Sequence, residues 1–171
     1  LVLFPELAVC GYPPEDLVYK KQFVRDNRAA LEELAAAIGG STAHARGQND
    51  PDTTAAPGGS LPVSERGRDA RDTAAVVGFV EGAGEDLYNS AAVIQQGRIT
   101  AIYRKTLLPN TSVFDEQRYF RPGGRPLVVE LEGLRVAVTI CQDVWDSAWL
   151  GGFLAGQGRI DLLLNLSASP F

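Results

Sequence analysis

The sequence predicts a mixed-sheet α/β protein built in packed layers. Three observations lead there. Short apolar, β-branched runs recur along the chain; Gln96-Gly97 and Glu132-Gly133 join two pairs of them as tight hairpins; and an amphipathic helical stretch accompanies the strands. There are no internal repeats and no heptads.

The elements follow in order. Residues 1–5 read as a first strand that ends on Glu6, and residues 10–17 as a turn-rich connection in which paired prolines suppress helix until Pro14. From Gln22 to Ile38 the chain reads as an amphipathic helix, with Val24, Leu31, Leu34, Ala35 and Ile38 on one face. Arg25, Asp26, Arg28, Glu32 and Glu33 fall mostly elsewhere, and Gly39-Gly40 stops the helix. Residues 39–72 are rich in Gly, Pro, Ser, Thr and Asp and almost free of large apolar side chains. Such a composition cannot bury enough surface to offset its ordering entropy, so a disordered insertion within one domain is expected. Strands resume beyond it at residues 75–80, 90–95, 99–104, 127–131, 134–140 and 161–166, with a weaker helix at residues 147–156, loosened by Gly151 and Gly152.

Composition narrows the function. A chain of 171 residues suffices for one domain with a core. It contains no methionine, opens inside an apolar strand and stops directly after another, so it reads as a fragment of a longer protein. A net charge of −5, without a Lys/Arg cluster, argues against a nucleic-acid surface. No apolar run approaches the ~20 residues that span a bilayer. Cys10 and Cys141 do not make a disulfide scaffold, and a reduced, cytoplasmic protein is expected.

Three reactive side chains share one placement. Glu6, Lys105 and Cys141 each follow an apolar run, and side chains at the carboxyl ends of neighbouring strands can converge on one rim of a sheet. Singly, each has a plain alternative: a buried small hydrophobe for the cysteine, a return to water for the charges. The single histidine, His44, lies in the polar insertion, which leaves no placed imidazole for a triad, and one His with two distant Cys makes no zinc site. A nucleophilic Cys141 must therefore use a carboxylate or a lysine as its base. Acyl transfer needs only these groups. A lysine ammonium favours thiolate by charge and clamps the oxyanion, the Gln142 backbone N–H is a natural second donor, and Glu6 can carry the proton in both half-reactions.

Glu, Lys and Cys in this order, each at a strand end, resemble the nitrilase or carbon–nitrogen hydrolase superfamily. The segments FPELAVCGYPPEDL (4–17), YRKTLLPN (103–110), VFDEQRYF (113–120), ICQDVW (140–145) and NLSASPF (165–171) are together similar to the glutaminase domain of glutamine-dependent NAD+ synthetases. The resemblance runs end to end apart from the insertion. It implies a nitrilase-like α-β-β-α sandwich with mixed sheets, incomplete at both ends, with Glu6 as general base, Lys105 as oxyanion-stabilising lysine and Cys141 as nucleophile. Glu116 then stands where a second glutamate holds the lysine, Ser169 where glutamine is contacted, and Tyr12 beside the pocket. Glu116 also reads as a solvated loop acid, Ser169 as part of the turn before Pro170, and Tyr12 as simple packing. Thr111-Ser112 replaces a Tyr-Gly whose tyrosine contacts substrate, Gln142 replaces a glutamate, and the basic residue for the substrate carboxylate would fall beyond Phe171. The resemblance further implies no metal or cofactor in this domain, ATP and Mg only in a synthetase domain outside this chain, glutamine as substrate, that synthetase domain as partner, and a homo-oligomer. Two other readings remain open: a free-standing amidase acting on another small amide, and a non-catalytic assembly domain.

Overall fold

The computed structural model describes residues 1–40, 73–110 and 114–168. Two sheets carry the fold. In the first, β1 (Val2–Leu3), β2 (Ala75–Ala83), β3 (Asp86–Gln95) and β4 (Arg98–Arg104) lie side by side, β1 parallel to β2 and the rest antiparallel. The second holds β5 (Leu127–Leu131), β6 (Leu134–Ile140) and β7 (Leu162–Leu166), with β5 antiparallel and β7 parallel to β6. Both hairpins form where expected. Gln96-Gly97 and Glu132-Gly133 have positive φ at both positions, 51° and 75°, and 51° and 78°. Positive φ at both central positions is what two-residue turns matched to strand twist require.

Strand alternation assigns the layers. Ala75, Val77 and Phe79 of β2, with Ala92 and Ile94 of β3, pack against Leu31 and Ala35 of the helix α1 (Lys21–Ile38). Val76, Ala91 and Val93 point the other way and join Val136, Val138, Ile140 and Leu166 of the second sheet. Buried on both faces, β2 reads as a continuous apolar run rather than an alternating one. A third helix, α3 (Ser147–Ala155), packs on the second-sheet cluster through Phe153, with Trp149 and Leu154 beside it. Its N-terminus is closed by Asp146, whose carboxylate accepts from Ala148 N and Trp149 N, both at 2.9 Å.

Boundaries moved in informative ways. β1 is shorter than expected, because after Phe4, whose N–H still bonds Val76 O at 2.9 Å, the chain leaves the sheet; Val9 N–H then bonds Gly78 O, and Asn27 Oδ1 accepts from Val80 N–H at 2.9 Å. Those two contacts satisfy the edge of β2 that β1 leaves bare, which explains why polar Asn27 sits buried on the inner face of α1. The β2–β3 hairpin runs on past the apolar core to a turn at Gly84, adding the polar stretch that carries Glu81, Tyr88 and Asn89. Pro14 precedes a 3₁₀ turn over Glu15–Tyr19, and a short helix, α2 (Glu116–Tyr119), follows β4. Among the described residues no helix is long and apolar enough to cross a membrane. Of the expected insertion, residues 41–72 with His44 lie outside the described residues, as do Thr111 and Ser169.

Candidate active site

Three elements bring the charged residues to one place. Lys105 follows β4 and is fully buried, its Nζ donating to Glu6 Oε1 at 2.6 Å and to Glu116 Oε1 at 2.8 Å. Glu6 reaches it because Gly78 has no side chain. A Cβ there would overlap the backbone of Pro5 and Leu7 and come within 2.9 Å of the Glu6 carbonyl carbon, so only glycine lets that segment cross β2. Gly123 does the same for the lysine, since its missing side chain admits the Arg104 carbonyl while its N–H bonds Lys105 O at 2.7 Å. Directly after Glu6, Leu7 is fully buried in the left-handed region at φ 50°. That backbone costs a bulky L-residue about 1–2 kcal/mol, held here by packing against Val18 and Val80.

Cys141 arrives on the same kind of backbone. It opens the 3₁₀ turn Cys141–Val144 directly after β6, with φ 45° and 2% exposure. The parallel register pairs Ile140 with Leu166, so the next residues, Cys141 and Ser167, lie side by side, with Ser167 Oγ donating to Cys141 Sγ at 3.7 Å. Tyr12 reaches one of the two carboxylates. Its hydroxyl donates to Glu116 Oε1 at 3.0 Å, and its pKa is pushed up, by burial first and then by the charges of Glu116, Glu6 and Cys141.

One cation between two buried carboxylates leaves an excess of negative charge. Burial pushes the Lys105 ammonium towards neutrality, but Glu6 and Glu116 outweigh it and hold its pKa above the ordinary 10.5. Glu116 absorbs the imbalance: burial, joined by repulsion from Glu6, raises its carboxyl above 4.5 in spite of Lys105.

Sequence reasoning missed two residues here. Asn89, 1% exposed, donates from Nδ2 to Glu6 Oε1 at 2.8 Å and to Glu116 Oε2 at 3.3 Å. Asp143 is fully buried; its Oδ2 accepts from Ile140 N–H at 2.9 Å and Tyr103 O–H at 2.8 Å, and its Oδ1 from Leu107 N–H at 2.8 Å and Thr106 N–H at 3.2 Å. It thus clasps the residue before Cys141 to the two residues after Lys105. Burial raises the Asp143 carboxyl, with those donors opposing. A signal for Asp143 was present, since an acid three residues past the end of a strand is a capping position for the turn that follows.

Two cavities flank the cluster. One, of about 310 Å³, is lined by Tyr12, Glu116 and Phe120 with Asp16, Asp115 and Arg118. The other, of about 500 Å³, is lined by Thr106, Leu107, Gln117, Phe120 and Gln142. The Gln142 side-chain Oε1 is buried without a hydrogen-bond partner among the described residues.

The family model for carbon–nitrogen hydrolases matches residues 1–148. The chain belongs to the carbon–nitrogen hydrolase family. Among curated relatives, the glutamine-dependent NAD(+) synthetase of Thermotoga maritima is 39% identical over 171 residues, covering all of this chain and 24% of that protein. The Xanthomonas campestris protein of the same name is 38% identical over 173 residues, covering 25% of its length. This carbon–nitrogen hydrolase thus spans about a quarter of the curated relatives it matches. Among solved structures, the glutamine-dependent NAD+ synthetase of Acinetobacter baumannii, in complex with ADP, aligns over 99% of this chain and 26% of its own, at TM-score 0.70 and 30% identity. An amidase of the nitrilase superfamily from Nesterenkonia shares the fold at TM-score 0.68 and 21% identity, over 99% of this chain and 52% of its own. The expected nitrilase-like fold with two mixed sheets is what the chain adopts.

Proposed function

We propose that this carbon–nitrogen hydrolase chain is the glutaminase part of a glutamine-dependent NAD+ synthetase. In this reading Cys141 releases ammonia from the side-chain amide of glutamine, and a synthetase domain of the same polypeptide uses it to amidate deamido-NAD+. The observation that carries the chemistry is the fully buried Lys105, gripped at 2.6 and 2.8 Å by Glu6 and Glu116, with Asp143 tying the residue before Cys141 to the two residues after Lys105. The substrate is supported by the name of the relatives that match along the whole chain.

The cycle balances with these side chains. Glu6 takes the thiol proton as Sγ attacks the amide carbon, and the carbonyl electron pair moves onto oxygen. A lysine ammonium has three N–H donors. Two of Lys105's go to Glu6 and Glu116, so the third meets the oxyanion together with the Gln142 backbone N–H. Collapse breaks the C–N bond, and Glu6 gives its proton to the departing ammonia. Glu6 then takes a proton from water, whose oxygen attacks the thioester; the C–S bond breaks, Glu6 returns that proton to Sγ, and glutamate is released. In this reading Tyr12, Thr111 and Ser169 bind the substrate, and Glu116 anchors the lysine. Acyl transfer of this kind needs no metal and no organic cofactor, while ATP and Mg serve the amidation in the synthetase domain. The reading places the protein in the cytoplasm as a homo-oligomer.

In the complete polypeptide, Cys141→Ala should abolish glutamine-dependent NAD+ synthesis and leave ammonia-dependent synthesis within about twofold of the parent. Normal use of glutamine by that variant would refute the nucleophile assignment.

A further inference from the structure

One buried side chain in the site has no part in the acyl-transfer cycle. Asn89 lies on β3 between the two glutamates, bonding Glu6 at 2.8 Å and Glu116 at 3.3 Å through the same amide nitrogen. Its Oδ1 is buried without a hydrogen-bond partner among the described residues. The opposite amide orientation would set that oxygen against two carboxylates. Among the described residues the carbonyl thus goes without a partner while two neutral N–H donors stand between two anions.

The choice of a neutral donor has a chemical consequence. Lys105 already binds both glutamates, and a second cation in place of Asn89 would hold both ionised too firmly for either to accept a proton. With no donor there, the carboxylates would compete for one ammonium and relieve their repulsion by sharing a proton. Lys105 and Asn89 also meet Glu6 on the same oxygen, Oε1, which fixes the rotation of its carboxylate.

We infer that Asn89 is a positioning residue that keeps Glu6 as the proton-transferring base and Glu116 as the lysine's anchor, by donating one N–H to each. The inference rests on the glutaminase reading above for the reaction it serves.

The test compares Asn89→Leu, Asn89→Asp and Asn89→Ser in the complete polypeptide, reading glutamine hydrolysis against pH. Asn89→Leu removes both donors, and losing donors to an ionised carboxylate raises its pKa. Its kcat should fall about 10–100-fold, its KM should stay within about twofold, and the acid limb of kcat should move up by about one pH unit. Asn89→Asp adds a third carboxylate and should lose more activity, with the limb displaced further. Asn89→Ser retains a smaller donor and should recover part of the loss; it carries the same comparison if Asn89→Leu does not fold. A uniform drop in kcat with the acid limb unmoved would overturn the inference, because simple packing predicts that result. If the parent does not hydrolyse glutamine, the glutaminase reading fails by itself. Alkylation of Cys141 by iodoacetamide against pH then decides Asn89 alone: an upward shift of its acid side in Asn89→Leu supports the role, and an unmoved curve overturns it.

Discussion

Arg104 and Lys105 are consecutive cations at the end of β4, each held by glutamate, and their surroundings differ in almost every physical respect. Arg104 grips Glu81 with two N–H groups, at 2.6 and 2.9 Å, lays its guanidinium 3.9 Å above the Tyr88 ring, and keeps 38% of its side chain in water. Lys105 points to the opposite face, keeps none of its side chain exposed, and divides its donors between two carboxylates. Around Glu81, burial pushes the carboxyl up, but hydrogen bonds from Arg104 and Ser90 outweigh it and the pKa ends below 4.5. Around Glu116 the balance goes the other way. The first arrangement is a satisfied ion pair that supports a hairpin. The second is an under-neutralised cluster, which can exchange protons because its charges are not fully compensated.

Lys105 is the group on which the difference depends most. Lys105→Met strands two buried carboxylates, and removing one partner of a buried pair costs about 3–5 kcal/mol. Urea unfolding should show that loss, and amide hydrolysis should fall by about 10²–10³-fold. Arg104→Met should do neither, and equal effects at the two positions would dissolve the distinction.

A smaller effect comes from the glycine behind Glu6. Gly78→Ala forces a methyl into the Pro5–Leu7 backbone, an overpacking that costs about 1–3 kcal/mol. It should displace Glu6 from Lys105 and lower turnover. Gly82→Ala, on the same strand, meets the Val24 side chain at 3.0 Å, which can give way, so it should leave turnover unchanged.

Acid titration sharpens the contrast in sign. Glu116 has a folded pKa above 4.5, so the folded protein binds more protons there than the unfolded chain; its contribution to stability falls as pH rises through that folded value. Glu81 lies below 4.5, so its contribution is present above 4.5 and lost as pH falls. Unfolding free energies followed from well below pH 4.5 upward should show the parent-minus-Glu116→Gln difference declining with pH and the parent-minus-Glu81→Gln difference rising. The same sign for both would contradict the account.

The smallest effect belongs to Arg104→Lys. It loses the two-pronged contact and the stacking on Tyr88, which at this exposure is worth about 1 kcal/mol or less, with hydrolysis unaffected.

What was legible in the sequence follows the same division. The β2 run, the α1 face of Leu31 and Ala35, and both hairpins announce themselves through period and turn chemistry, which are local. Glu6, Lys105 and Cys141 were visible because each stands at the end of an apolar run. Asn89 was not, because it lies on the polar extension of the β2–β3 hairpin, where no apolar alternation marks the strand. Its partners are Glu6 and Glu116, 83 and 27 residues away, and no local pattern encodes such contacts. Gly78 was hidden for a related reason, since its role depends on which backbone crosses it. Glu116 was legible only by resemblance, for a short polar helix after a loop carries no mark of burial.

The two cysteines offer the most direct test of the central claim, that Cys141 is the nucleophile of an amide-hydrolysing site. Cys10 is the more exposed of the two, and burial pushes its thiol up to about 11; Cys141 is 2% exposed, and Asp143 joins the residue before it to the two residues after Lys105. Exposure alone would therefore favour labelling at Cys10. Iodoacetamide labelling near neutral pH, with each cysteine peptide followed by mass spectrometry, should instead modify Cys141 at least about tenfold faster, and glutamine should protect Cys141 alone. Equal rates, or labelling of Cys141 that glutamine leaves unchanged, would contradict the account.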